Sequence, residues 1–471
     1  MQPLRNPTFE TMQPSEWISQ NYTELLGQLI EFLRFPSISA QSEYKAQLQA
    51  TANWLKAYLE GLGFSVELIG EPPVVYGYYQ GPMGAPTALF YGHYDVQPPD
   101  PLELWKSPPF SPEVVDDAIY ARGACDDKGQ VFAHLAAWKY LIQTHGRLPI
   151  SLRVVIEGQE ETGSETLYEV LAARGSEWQS DVVVVSDTAF FSEEIPTLTV
   201  GLRGIVYGEI TVRGPARDLH SGSFGGVAPN PAFGLAAILT ALKGPDQRIR
   251  IPGFYDKVRP VDSTERQLWR SLPADDAHYV RLMGASAAVG EVGFSPLERI
   301  GSRPTLDVNG MYSGYIGEGS ETIIPAVAVA KVSMRLVPDQ EPMEIWHLFK
   351  SYVESVTPPG FTVEVRLLHE PAPAFETPIS SPYYRAAEEA VQEAFGRRPI
   401  PTREGGSIPI LSALQRSIGG APAILMGFGL PSDAVHSPNE HFRLSQLRKG
   451  IHAAIRFYEK VAEIPSRSAL R

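Results

Sequence analysis

The run Asp181-Val182-Val183-Val184-Val185-Ser186-Asp187 decides the fold class. Successive strand residues point to opposite faces, so four valines in a row read as a strand covered on both sides. Upstream the pattern alternates. Residues 165–173 read as a helix, 151–156 as a β-branched strand and 131–142 as an amphipathic helix. Residues 115–119 read as a hairpin, and 88–91, 74–79 and 64–68 as short strands. Two helices come first, one capped by Ser15 and one over residues 44–62 that Gly63 stops. This alternation predicts an α/β domain with a mixed sheet flanked by helices on both faces.

Downstream the pattern changes near Arg203. Residues 205–212 and 327–336 alternate like half-exposed strands, with helices over 231–242 and 343–356, a strand over 362–368 and an irregular stretch reaching Arg303. After the proline-rich Glu370-Pro371-Ala372-Pro373-Ala374 the helix–strand alternation resumes. The expected organisation is one domain from residues 1–201 plus 373–471, with an α+β domain inserted at 202–372. Residues 464–471 read as a loose tail.

A chain of 471 residues exceeds what one core supports, in keeping with two domains. The net charge of -14 excludes nucleic acid as the main partner, because phosphate binding needs clustered Lys and Arg. No segment has the apolar length of a membrane span, and the first residues lack the apolar run of a secretory signal. Cys125 stands alone, so no disulfide forms within the chain and a cytoplasmic location is expected.

Acids and histidines cluster at the ends of five apolar runs, where parallel sheets build sites. Leu89-Phe90-Tyr91-Gly92-His93-Tyr94-Asp95-Val96 delivers His93 and Asp95 to one side, an imidazole ligand with a carboxylate to orient it. In Tyr120-Ala121-Arg122-Gly123-Ala124-Cys125-Asp126-Asp127-Lys128-Gly129, the acids either cap a helix or Asp126 bridges two metal ions. Glu160 and Glu161 follow a strand in Glu157-Gly158-Gln159-Glu160-Glu161-Thr162-Gly163-Ser164, where adjacent like charges call for a cation or a proton. Asp187 ends the valine run, and His436 lies in the polar loop Asp433-Ala434-Val435-His436-Ser437-Pro438-Asn439-Glu440. Together, two histidines and three acids would give each of two metals a histidine, a terminal carboxylate and a shared one, with a position open for water. His134, His145, His347 and His452 read as structural, and His441 as the start of a helix.

These segments resemble the dinuclear-metal family of aminoacylase, acetylornithine deacetylase, succinyl-diaminopimelate desuccinylase and carnosine-type dipeptidases, and most closely its cytosolic non-specific dipeptidase branch. Gly-His-Tyr-Asp-Val-Gln-Pro, Arg-Gly-Ala-Cys-Asp-Asp-Lys-Gly, Glu-Gly-Gln-Glu-Glu-Thr-Gly-Ser, Arg-Asp-Leu-His-Ser-Gly, Arg-Leu-Val-Pro and Arg-Glu-Gly-Gly-Ser-Ile-Pro follow one another in the family's order. The resemblance implies that His93 and Asp187 bind one metal, Glu161 and His436 the other, and Asp126 both. It makes Asp95 the residue that fixes the tautomer of His93 and Glu160 the general base. It also makes residues 1–201 plus 373–471 the catalytic domain and the inserted domain a ferredoxin-like sandwich that serves as a lid and forms a homodimer, through which His220 and Thr322 would reach the active site of a partner subunit. Arg335 and Ser407 would hold the substrate's carboxylate and backbone. Ser407 also reads as a helix N-cap. The implied activity is metal-dependent hydrolysis of dipeptides or other small peptides with a free carboxylate, using two divalent ions, zinc or else manganese or cobalt. Its rivals are deacylation or desuccinylation of N-acyl amino acids and a binding or scaffold protein that has lost catalysis.

Overall fold

A computed structural model describes residues 12–466. The chain forms two compact units. One takes in the chain to Val200, Thr377–Pro401 and the chain from Ala413; the other is Gly201–Glu376 with Thr402–Ser412. The second unit thus runs past the expected exit at 372 and includes a return segment that no change of pattern in the sequence announces.

The first unit is built on a mixed sheet. From one edge its strands are Ser65–Ile69, Val74–Tyr79, Ser151–Glu157, Thr87–His93, Val182–Val185, Ala423–Leu425 and Thr197–Leu202. The last four-strand block before Thr197–Leu202 is parallel throughout, and the outer pairings are antiparallel. Val182 to Val185 are all fully buried. Because neighbours along a strand face opposite ways, both faces of the sheet are covered, as the valine run predicts.

The helix expected over 131–142 spans Lys128–His145 and is not amphipathic. Every residue from Lys128 to Leu141 is buried, between the Thr87–His93 strand and the Leu444–Val461 helix. Its polar residues suggested a solvated face, but they are satisfied internally. Lys128 Nζ donates to the Phe35 carbonyl at 2.7 Å, and Gln130 bridges the Cys125 carbonyl and the Phe428 N–H. At the start of the chain Ser15 is not the cap. The helix is Pro14–Leu33, with Gln13 at the N-cap and proline where a missing N–H costs nothing. The expected tail is ordered as far as Ser466, which is buried and bonds to Asp181. Residues 467–471, like the first residues read for a secretory signal, lie outside the described residues.

The second unit orders strand, helix, strand, strand, helix, strand: Gly204–Arg213, Pro231–Leu242, Thr305–Ser313, Val327–Leu336, Pro342–Val356 and Thr362–Leu367. Its antiparallel sheet places Thr305–Ser313 beside Val327–Leu336, then Gly204–Arg213, then Thr362–Leu367, the ferredoxin-like arrangement. Ala328, Ala330, Val332, Met334 and Leu336 are fully buried in one core with Leu235, Ile238, Ile345 and Phe349 of the helices. The irregular stretch before Arg303 holds the short helices Ser263–Trp269, Asp276–Met283 and Pro296–Gly301, each capped by an Asp or Ser side chain. No helix among the described residues is long and apolar enough to cross a membrane.

Candidate metal centre

The parallel strands supply the frame. Thr87–His93 ends on His93, and Ser151–Glu157 leads into the turn that carries Glu160 and Glu161. Asp187 follows Val182–Val185, and the chain beyond Ala423–Leu425 reaches His436. All four strands run the same way, so their carboxyl ends converge. Asp126 enters from the loop before the Lys128–His145 helix. Gly129 makes that close approach possible, because a Cβ there would lie 1.9 Å from the Ala124 carbonyl oxygen.

The five expected ligands form two groups that share Asp126: His93, Asp126 and Asp187, and Asp126, Glu161 and His436. Within each group the donor atoms lie within 4.8 Å of one another. Asp126 Oδ1 is 3.0 Å from His93 Nε2, and Asp126 Oδ2 is 2.9 Å from His436 Nε2. Glu161 Oε1 is 3.2 Å from His436 Nε2, and Asp187 Oδ2 is 3.9 Å from His93 Nε2. The helix-cap reading of the two aspartates fails, since Asp127 makes no side-chain cap bond.

The chemistry of these donors fits a cation pair. His93 is fully buried and its Nδ1 is 3.1 Å from the Asp95 carbonyl, an acceptor only. In the neutral ring the proton therefore sits on Nδ1, and the Nε2 lone pair faces two carboxylates without a hydrogen-bond partner. Such an arrangement is repulsive unless a cation lies between. Burial pushes the Glu160 carboxyl well above the glutamate range; His93 opposes the shift while Asp187, Glu161 and Asp126 add to it. The Asp126 and Glu161 carboxylates beside His436 hold its imidazolium up to about pH 10. Both shifts draw on carboxylates crowded around the two histidines, an arrangement that a divalent cation would relieve.

Three supports stand behind the ligands, and the sequence reading caught only part of one. Asp95 was expected to orient His93 through its side chain. Its carboxylate lies 3.4 Å from His93 Nδ1 and its backbone carbonyl 3.1 Å, so both face the ring nitrogen, and the carboxylate also accepts the N–H groups of Glu160 and Glu161, both at 3.2 Å. Gln97 donates to Glu161 Oε2 at 2.7 Å, leaving Oε1 to face His436. Glu440 received no role in the sequence reading, yet its fully buried carboxylate gathers four donors. Arg122 Nη1 and Gly123 N bond one oxygen at 2.8 and 3.0 Å; Cys125 N and Asp126 N bond the other at 3.0 and 3.1 Å. The signals for these residues were their spacings, two after Asp95 and four after His436, inside strings already singled out.

His436 sits in a strained loop. Ala434, His436 and Asn439 have φ of 56°, 59° and 64°, a left-handed conformation that costs non-glycine residues about 1–2 kcal/mol each. Ties on both sides hold it. Asp433 Oδ2 accepts Leu430 N, and Asn439 bonds Lys106 N and the Leu104 carbonyl. His441, expected to open a helix, belongs instead to the strand His441–Arg443, which pairs with Ala118–Tyr120. His134 is structural, as expected, but it lies one residue from the centre. Ser186 gives its hydroxyl proton to the Met426 carbonyl, so it accepts from His134 Nε2, whose Nδ1 then accepts from Tyr458. Ser186 precedes Asp187.

The remaining expected residues belong to the second unit and form two pairs. His220 lies opposite Ile323, and the Thr322 carbonyl accepts Ser221 N. Both His220 and Thr322 are exposed. Arg335 Nη1 donates to Ser407 Oγ at 2.8 Å. Ser407 is not an N-cap, because the helix begins at Pro409 and the hydroxyl is spent on the Arg203 carbonyl.

A mixed α/β sheet carrying two candidate cation groups that share one aspartate, with a ferredoxin-like second unit, is the architecture of a metal-dependent hydrolase. Residues 89–460 match the peptidase family M20/M25/M40, and the chain belongs to it. It is 31% identical to the Cys-Gly metallodipeptidase of Schizosaccharomyces pombe, over 95% of this chain and 98% of that protein. With the beta-Ala-His dipeptidase of Rattus norvegicus it shares 29% over 84% of this chain and 81% of that one. Human carnosine dipeptidase 1 superposes with a TM-score of 0.79 at 27% identity, covering 96% of this chain and 98% of that one. A metallo-carboxypeptidase of the same family from Sulfolobus solfataricus superposes with a TM-score of 0.81 at 32% identity, covering 94% of this chain and all of that one.

Proposed function

We propose that the chain is a metal-dependent dipeptidase. The observation that carries this reading is Asp126, whose two oxygens face two different histidines, each backed by a further carboxylate. His93, Asp126 and Asp187 would hold one divalent cation, and Asp126, Glu161 and His436 a second. Zinc suits this mix of imidazole and carboxylate best, with manganese or cobalt as substitutes. Bound there, such ions lower the pKa of water and polarise the scissile carbonyl.

The chain's own residues do the rest. Glu160, fixed through its N–H by Asp95, takes the proton of the attacking water and returns it to the leaving amine. His220 accepts Gly222 N at Nδ1, so its neutral ring carries the proton on Nε2, ready to donate to an oxyanion. Thr322, beside it, contributes to the same face. Arg335 takes the substrate's free carboxylate in a charge-assisted bond, with Ser407 holding the guanidinium in place.

A homodimer through the second unit would carry His220 and Thr322 to the partner's centre. The edge strand Thr305–Ser313 supports this, since it exposes Val308, Met311 and Tyr312 along unpaired backbone. A cytoplasmic location accords with the lone, buried Cys125.

The experiment is a substrate panel on zinc- or manganese-loaded protein: Cys-Gly, β-Ala-His and other dipeptides against N-acetyl and N-succinyl amino acids. Turnover of the dipeptides is expected. Turnover of the acylated amino acids alone would replace this reading with deacylation.

A further inference from the structure

Most arginines of the second unit face acids. Arg403 grips Glu265 through two bonds and Glu376 through a third, and Arg303 grips Glu291 in the same forked manner. Arg203 and Arg335 differ. Among the described residues no carboxylate bonds to either guanidinium. Arg203 spends its donors on main-chain carbonyls: Nε on Gly405 at 3.1 Å, and Nη1 on Arg299 and Arg303, both at 3.5 Å. Arg335 has Ser407.

The two are mechanically joined. The Ser407 hydroxyl accepts from Arg335 Nη1 and donates to the carbonyl of Arg203, whose own N–H bonds the Gly406 carbonyl at 3.1 Å. Arg335 also pairs with Ile205, two residues beyond Arg203. Gly405 lets the second guanidinium in, since a Cβ there would stand 2.7 Å from Arg203 Nη2. Two half-buried cations held together without acids are costly unless an anion visits. Burial and then the charge of Arg335 bring the Arg203 guanidinium down to about 10, with Asp307 opposing. Asp307 is the acid that faces both arginines electrostatically, and it is exposed, 3.7 Å from Lys243. With Lys243 beside Asp307, three cations face one acid, so the group keeps a net positive charge that an anion complements.

We infer that Arg203 is a specificity-determining residue: it supplies the second positive charge of the site at which Arg335 takes the substrate's carboxylate, and Asp307 moderates that charge. The inference rests on the dipeptidase reading. It predicts that the preference for a free carboxylate over a carboxamide depends on Arg203, and that the dependence appears in KM and not in kcat.

The test uses the full-length, metal-loaded enzyme with one dipeptide and its C-terminal amide. Arg203→Gln keeps a donor for the carbonyls and removes the charge. KM for the free acid should rise about tenfold while kcat and the amide's KM stay put. Arg203→Lys restores charge and should recover most of the loss. Asp307→Asn, a surface change that does not endanger folding, should lower KM for the free acid about two- to threefold. Equal effects of Arg203→Gln on acid and amide, or no effect of Asp307→Asn, would overturn the role given to Arg203. If the unaltered enzyme cleaves acid and amide equally well, the carboxylate reading of Arg335 fails instead, and the two failures are told apart.

Discussion

Glu160 and Glu440 are the residues on which chemistry and positioning separate. Burial and the surrounding carboxylates hold the Glu160 carboxyl high, so neutralising those carboxylates with cations brings it back toward the range of a working base. On the proposed mechanism, Glu160→Gln leaves both candidate ligand groups intact and removes the proton carrier. Its kcat should fall about 10²-fold or more, with two metals per chain still found by elemental analysis. A kcat near that of the unaltered enzyme would give the proton to another group. Glu440 is buried behind the candidate ligands, its carboxylate taken up by Arg122 and three backbone N–H groups. It fixes the N–H of Asp126 and lies four residues from His436, so Glu440→Gln turns an amide donor toward backbone donors on one side. Cation affinity, measured by chelator competition, should fall about 10- to 100-fold with the circular dichroism unchanged; undiminished affinity would make Glu440 a bystander. The residues that the structure gathers into the two candidate cation groups were legible because metal donors are rare residue types at the ends of apolar runs. The supports were not, because a carboxylate such as Asp95 reveals its partner only once two loops distant in sequence are folded side by side.

Among the elements, the Lys128–His145 helix carries a pH dependence of its own. Burial lowers the His134 pKa to about 3 from an ordinary 6.5. Between those values the unfolded chain binds the proton and the folded chain does not, so stability is complete above about pH 6.5 and is lost as pH falls toward 3. The effect is on the order of 5 kcal/mol for a fully buried group. His134→Gln should flatten the fall of Tm between pH 7 and pH 4, and an unchanged slope would place the acid sensitivity elsewhere. This helix also shows where pattern reading runs out. Its lysines, glutamine and histidine imply a wet face, and only the partners that meet them in the core reverse that. The Thr305–Ser313 strand was missed for the opposite reason. As an edge strand it buries little beyond Leu306, so its period-two signal is weak, and a register shift at Val308 and Gly310 breaks it further. Val327–Leu336, central in the same sheet, alternates cleanly and was read without error.

For the whole molecule, cation binding and proton binding compete. The cation-free protein keeps a proton on His436 up to about pH 10, because Asp126 and Glu161 accept from it. By itself this raised pKa favours the cation-free fold below about pH 6.5, an advantage lost as pH rises through 10. Cation binding must expel the proton, so it tightens as pH rises over the same interval. Binding heats measured in two buffers of different ionisation enthalpy should differ accordingly; identical heats would mean that His436 is not a ligand. Chelation should also lower Tm, since a ligand at a hundred times its Kd contributes about 2.7 kcal/mol. The measurement that bears most directly on the shared aspartate is the number of cations bound per chain, counted by native mass spectrometry alongside dipeptide turnover. Two per chain are expected, with Asp126→Ala losing both the pair and the activity. Full turnover by protein stripped of metal, or an unaltered count of two in Asp126→Ala, would contradict it.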